Sequence, residues 1–324
     1  MSTETRTFRA AIVILNYETP KLTLDCLASL APEMASVEDV FVVVVDNDSQ
    51  DDSAQQIADA IAQHGWSEWA GVFASDCNAG FAGGNNIGIE AVPAKTYILL
   101  NSDTIVRPGA IQRLLEASDR FPDAGIIGPR LEWPDGSPQE SAFRFRSPRL
   151  ELIGAAGTNL VTRLAGGTGV AIDAREEPFE AQWVSFACVL IRGEVLKRVG
   201  MLDDGYFMYF EDIDLCRRAH RAGFRVLCWP DARVVHLRGG TSEVKSESAK
   251  RGRRPKYYYE SRTRYFAKFY AKRGLWLTNW LWGVGRSVAW LRERVGLKKP
   301  HACENEWKDN WINFKEPMKG RKAA

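Results

Sequence analysis

Thr96-Tyr97-Ile98-Leu99-Leu100-Asn101-Ser102-Asp103 is an apolar run closed by three polar residues. Such a short continuous run reads as a strand buried on both faces. Three similar runs precede it, at residues 10–15, 40–45 and 71–74, and helical patterns fill residues 21–30, 53–64 and 85–91 between them. β-branched runs separated by helices of that length predict an α/β fold with a mainly parallel, Rossmann-like sheet covered by helices. Ligands of such sheets bind beyond the carboxyl ends of the strands. The polar clusters there are Asn16-Tyr17, Asp46-Asn47-Asp48-Ser49, Asn78-Ala79-Gly80 and Asn101-Ser102-Asp103.

Farther along, the patterns predict helices at 108–120, 193–199 and 212–222, strands at 183–191, 224–229 and 232–236, and a polar loop at 239–255. Residues 256–273 read as a helix, followed by a Trp-rich stretch at 275–297. The 324 residues suffice for one large domain or two smaller ones. The formal net charge of +2 hides a split: residues 1–242 hold 22 Lys and Arg against 33 Asp and Glu, and residues 243–324 hold 21 against 8. That asymmetry argues against a uniformly basic nucleic-acid binder and points the tail toward something anionic. The six cysteines are scattered without CxxC pairs, which fits neither a disulfide framework nor a zinc site and suits a reducing cytosol. Residues 10–15 are too short for a signal segment, and Arg286, Arg292 and Arg294 interrupt the Trp-rich stretch, so neither crosses a membrane. The latter fits an interfacial helix, or one packed on the catalytic domain or on a second subunit of a homo-oligomer.

Four constellations carry chemistry. Asp103 at a strand end suits an oxygen-ligated Mg²⁺ or Mn²⁺ holding a diphosphate, and is equally a common helix cap. Glu211-Asp212 opens a helix after an aromatic run; adjacent carboxyls in a partly apolar setting make a general base, or simply cap first-turn N–H groups. His236 ends a strand, as a second metal ligand or a structural residue. The glycine-rich Asn78–Gly88 segment opens a helix but lacks the GxGxxG spacing after the first strand that a nicotinamide enzyme needs. Its glycines permit close approach to a ligand or a tight turn.

Taken in order, ILNY (14–17), VVDNDSQDDS (44–53), NAGFAGGNNIG (78–88), LLNSDT (99–104), MYFEDIDLCRR (208–218) and VVHLRGG (234–240) resemble the inverting glycosyltransferases of family 2. The nearest branch is the rhamnosyltransferase-like enzymes of surface polysaccharide assembly. The resemblance covers roughly residues 8–240 and implies a GT-A fold. It places a nucleotide-sugar donor against Asn16, Tyr17, Asp46, Asn78 and Asn86, with Asn101 and Ser102 in the metal-binding DxD position. Asp103 and His236 are then the implied ligands of Mg²⁺ or Mn²⁺, and Glu211-Asp212 the catalytic pair, Asp212 being the base. Two departures stand out: Asn101 replaces the first Asp of DxD, and Phe186-Ala187 replaces a small Gly-Ala pair before the catalytic segment.

The resemblance implies metal-dependent transfer of a sugar, rhamnose from dTDP first and a UDP-sugar second, to a glycan or lipid-diphosphate-linked acceptor. The expected organisation is a catalytic domain at 1–240, a lid at 241–255 and a helical extension at 256–324, in a cytoplasmic protein peripheral to the inner face of the membrane. Arg262 and Arg264 are candidate diphosphate clamps, or part of a solvated helix. Two other classes remain open, a nucleotidyltransferase and an inactive sugar-nucleotide-binding subunit. The first usually carries a basic, glycine-rich loop near the first strand, where this chain has Asn16-Tyr17-Glu18-Thr19.

Overall fold

A computed structural model describes residues 6–237, 243–297 and 300–319. Strands β1 (Phe8–Asn16), β2 (Val40–Asp46), β3 (Ala70–Ala74) and β4 (Ala94–Asn101) form the parallel half of the sheet, in the order β3-β2-β1-β4. Alternate residues face opposite layers. Val13, Val45 and Leu99 enter one core, and Ile12, Val44 and Leu100 the other, which is why these strands are apolar throughout. Beyond β4 the strand Cys188–Arg192 enters antiparallel, followed by β6 (Ala124–Glu132), the long strand Arg225–His236 and β5 (Thr104–Val106). The predicted α/β class holds, with antiparallel pairs in the second half of the sheet.

Helices α1 (Pro20–Met34), α2 (Ser53–Gln63), α4 (Ala110–Arg120), α7 (Gly193–Val199) and α8 (Glu211–Arg221) follow the predicted pattern, whereas α5 (Pro148–Ala156) and α6 (Asn159–Leu164) fall where the sequence shows no clear period. α3 (Gly80–Ala91) starts five residues earlier than its polarity suggests because glycines lie inside it. A Cβ on Gly88 would collide with Val13, so the glycine lets α3 lie close on β1.

The basic tail belongs to the same body. α9 (Glu243–Lys250) occupies part of the expected loop; residues 238–242, the start of that loop, lie outside the described residues. α10 (Lys256–Arg294) is two helices joined at Ala271, whose φ of 57° and ψ of 176° break the run. Its first half puts Tyr265 and Phe266 into the core shared with Val13 and Leu99. The division expected at residue 240 is therefore no break in packing, because aromatic residues of the tail complete the core of the body.

Candidate functional site

The carboxyl ends of β1 and β2 lie in register, Asn16 opposite Asp46. Both are buried. Asn16 Nδ2 donates to Asp46 Oδ1 at 2.7 Å, and Asn16 Oδ1 accepts from the Thr23 hydroxyl at 2.8 Å. Asp46 also accepts from the Ser49 hydroxyl at 2.7 Å and the Ser49 N–H at 3.1 Å, which fixes the loop after β2. Tyr17 stands beside this network, 40% exposed. Asn47, part of the polar cluster after β2 but given no role of its own from sequence, is the hinge of the neighbouring loop: it donates to Asn78 Oδ1 at 3.0 Å and accepts from Ala79 N–H at 3.1 Å. Asn78 and Asn47 thus hold the start of α3.

Asp103 and His236 are brought together by the ladder between β5 and the strand Arg225–His236, in which His236 faces Thr104. His236 Nε2 lies 3.4 Å from Asp103 Oδ1, and both residues are buried. Asp103 Oδ1 and His236 Nδ1 have no hydrogen-bond partner among the described residues. Asp103 is no helix cap: a strand follows it, and the next helix, α4, takes its N-terminal partners from Glu33, whose carboxylate accepts from Gly109 and Ile111 N–H. A hard oxygen and an imidazole nitrogen, buried with capacity to spare, fit a divalent cation. No group of three or more His, Cys, Asp or Glu converges among the described residues, which leaves the other positions of such an ion to water or a diphosphate. Gln139, buried and unforeseen, donates to the His236 carbonyl at 2.7 Å and fixes the strand end. Ser102 is buried with its hydroxyl 3.5 Å from that of Thr19, and the half-buried Asn101 accepts from the Thr104 hydroxyl through its carbonyl.

The third cluster opens α8. Tyr209 and Phe210 hold φ of 69° and 73°, left-handed conformations uncommon for aromatic residues, and so turn the chain abruptly into Glu211-Asp212. This turn is fastened to α3. Phe81 N–H donates to Phe207 O at 2.6 Å, and a Cβ on Gly80 (φ +70°) would strike the Phe207 carbonyl. The glycine of the Gly-rich segment is therefore required by the backbone of Phe207. The same latch sets the acidic pair at the strand ends where Asn47 and Asn78 sit.

Glu211 is buried, and its Oε2 has no partner among the described residues. Burial, with the Asp212 charge adding to it, pushes its carboxyl well above the usual carboxylate range. Burial also pushes the Asp212 carboxyl up to about 7, against the pull of the Ile213 N–H and of Arg146. Asp212 is half-buried and accepts from that N–H at 2.7 Å. The two carboxyls titrate as a pair. Asp214, by contrast, is fully buried and bound by Tyr206 OH, Arg218 and Lys268. Arg146 is a residue the sequence reading did not single out.

Three expected ligand residues are engaged elsewhere. Asn86 donates to Leu202 O at 2.8 Å and accepts from Leu202 N–H at 3.1 Å, so both ends of its amide are used in joining α3 to the catalytic segment. Arg262 is buried against Glu151 at 2.9 Å and Asn279 at 2.7 Å, and Glu151 in turn holds Arg146 at 3.0 Å. Arg264 pairs with Asp203 at 2.7 Å beside Lys268. Neither guanidinium is a diphosphate clamp in this arrangement, because each neutralises an acid of the body.

A low-salt glycan biosynthesis hexosyltransferase of Haloferax volcanii is 25% identical over 67% of this chain and 63% of its own length. An N-acetylglucosaminyl-diphospho-decaprenol L-rhamnosyltransferase of Mycobacterium tuberculosis is 37% identical over 141 residues, 43% of this chain. The match spans 46% of that relative, under half its length. Among solved structures, the mannosyltransferase PcManGT of Pyrobaculum calidifontis, in complex with GDP-Man and Mn²⁺, superposes with a TM-score of 0.57 at 14% identity, covering 97% of this chain and 86% of that one. That likeness establishes the fold, GT-A. The model of glycosyltransferase like family 2 matches residues 9–257, from β1 through every cluster described above, and the chain belongs to that family.

Proposed function

We propose that the protein transfers a sugar from a nucleoside-diphosphate donor to an acceptor hydroxyl, with inversion at the anomeric carbon. The observation that carries this reading is the desolvated Glu211-Asp212 pair, whose second carboxyl is poised near neutral pH. As the acceptor oxygen forms its bond to the anomeric carbon, Asp212 takes the hydroxyl proton. The bond to the diphosphate breaks, and the diphosphate leaves with the electron pair. No second carboxylic acid is needed, since a diphosphate leaves without protonation. Asp103 and His236 are the residues to hold Mg²⁺ or Mn²⁺; when bound, the ion supplies positive charge against the diphosphate.

Asn16, Asp46, Asn78 and Tyr17 line the strand ends assigned to the nucleotide, with Asn101 and Ser102 beside it. The Mycobacterium relative's name supports rhamnose as the first donor sugar to test and a lipid-diphosphate-linked acceptor; dTDP as the carrier and a place in surface polysaccharide synthesis are what the family resemblance implies. A UDP-sugar is the second donor, and a cytoplasmic protein peripheral to the membrane fits such an acceptor.

Asp212→Asn tests the reading. Transfer of labelled rhamnose from dTDP-rhamnose is expected to fall by about 10²–10⁴-fold, while dTDP-rhamnose with Mg²⁺ still raises the melting temperature. Near-wild-type transfer by this variant overturns the assignment. Donor stabilisation without transfer by the wild type would instead fit an inactive sugar-nucleotide-binding subunit.

A further inference from the structure

In a globular protein the apolar stripe of a surface helix turns inward. The second half of α10 buries Leu275 but turns most of its large apolar side chains outward. The rest of its packed face carries Thr278, Asn279, Gly285 and Ala289, with Gly285 against the backbone of α5 at Leu152 and Ala156. Its outer face presents Trp276, Trp280, Val284 and Leu291, which are 50%, 51%, 38% and 58% exposed. Spacings of four and seven residues put these on one stripe. The Trp276 and Trp280 rings stack 6.3 Å apart at 9°. At the far end Arg292 reaches the carbonyl of Gly157 at 3.3 Å, which sets α6 beside the stripe, and there Leu160 and Leu164 are 67% and 79% exposed.

Charge says what covers this face. Arg273 and Arg294 close the stripe at its two ends, Arg294 lying 4.3 Å from the centre of the Trp290 ring, and Arg163 stands between the two leucines of α6. Glu293 is the only acid in residues 261–297, and its carboxylate is held by Arg286 and His301; residues 157–172 have none. A second copy of the chain seated on the face would set these cations against each other with no acid to meet them. No helix among the described residues is long and apolar enough to cross a membrane, but the stripe from Arg273 to Arg294, about 32 Å long, suits a helix lying along one.

We propose that the outer stripe of α10 and the tip of α6 dock on an anionic lipid bilayer, the tryptophans at headgroup level and Arg163, Arg273 and Arg294 against lipid phosphates. The proposal rests on the function above only for its purpose, access to a lipid-linked acceptor.

The test is co-sedimentation of the full chain with phosphatidylcholine vesicles, with and without phosphatidylglycerol. Binding is expected only with the anionic lipid. Arg273→Gln with Arg294→Gln should weaken it by about 30-fold, and Trp276→Ser with Trp280→Ser, or Leu160→Ser with Leu164→Ser, by at least about 10-fold. Circular dichroism checks that each variant folds, and donor-induced thermal shift should be unchanged in all three. Absence of binding to anionic vesicles, variants that bind like the wild type, or a concentration-dependent dimer abolished by the tryptophan changes would each overturn the proposal. Vesicle binding with no sugar transfer to a water-soluble acceptor would sink the function proposed above and leave the docking face standing.

Discussion

The strand-end cleft and the seam between the body and α10 are built from the same residue types and treat them in opposite ways. At the seam each named acid has a named cation: Asp203 and Asp214 share Lys268, Arg264 pairs with Asp203, and Glu151 sits between Arg146 and Arg262. In the cleft, Asp103 Oδ1, Glu211 Oε2 and His236 Nδ1 are buried and unmatched. A buried polar atom without a partner costs stability, so the paired acids of the seam support the fold while these three atoms of the cleft burden it. Part of the opening charge asymmetry is resolved the same way. Arg262, Arg264 and Lys268 of the tail neutralise Glu151, Asp203 and Asp214 of the body, and Arg273 and Arg294 lie on the outer side of α10.

Substitutions on the two sides should diverge accordingly. Arg262→Ala leaves Glu151 buried beside one cation fewer and is expected to cost about 3–5 kcal/mol, read as a lower urea midpoint, with the transfer rate per folded molecule retained. If stability held and donor affinity fell instead, Arg262 would belong to the cleft after all. Asp212→Asn should do the opposite, abolishing transfer while stabilising the fold. The folded-state carboxyl is raised to about 7, so the native protein binds the proton more tightly than the unfolded chain does. Stability from this group is full below about pH 4 and declines as pH rises toward 7. The variant should therefore out-melt the wild type at pH 8 and match it at pH 4.

A smaller effect concerns Arg146, which stands on both sides, salt-bridged to Glu151 and drawing the Asp212 carboxyl down. Transfer by the wild type should rise with pH through about 7 as Asp212 ionises. Arg146→Gln should move that limb to higher pH, which a pH–kcat/KM profile would read; an unmoved limb would assign Arg146 to the seam alone. The smallest expected change is at Ala271, whose φ of 57° and ψ of 176° suit glycine only. Ala271→Gly should raise stability by about 1 kcal/mol and leave transfer unaltered.

Much of the cleft was legible because it is built from strand ends. An apolar run that stops at Asp46 or Asp103, or a His that closes one at 236, announces both its element and its end of the sheet. The tertiary partners were not legible. Nothing local to Arg262 or Arg264 names Glu151 or Asp203, and a helical arginine facing a buried acid has the same sequence as one facing solvent or a phosphate. Asn86 failed for the same reason, since its partner is the backbone of Leu202. The early start of α3 was hidden because glycine lowers helix propensity, while close packing on β1 requires it.

The hydrogen bond from Phe81 N–H to Phe207 O has a kinetic consequence. The turn that carries the proposed base and the loop proposed to receive the nucleotide are joined through one short stretch of backbone, so neither can shift without moving the other. Filling the first site should stiffen the second, which favours an ordered encounter in which donor enters before acceptor.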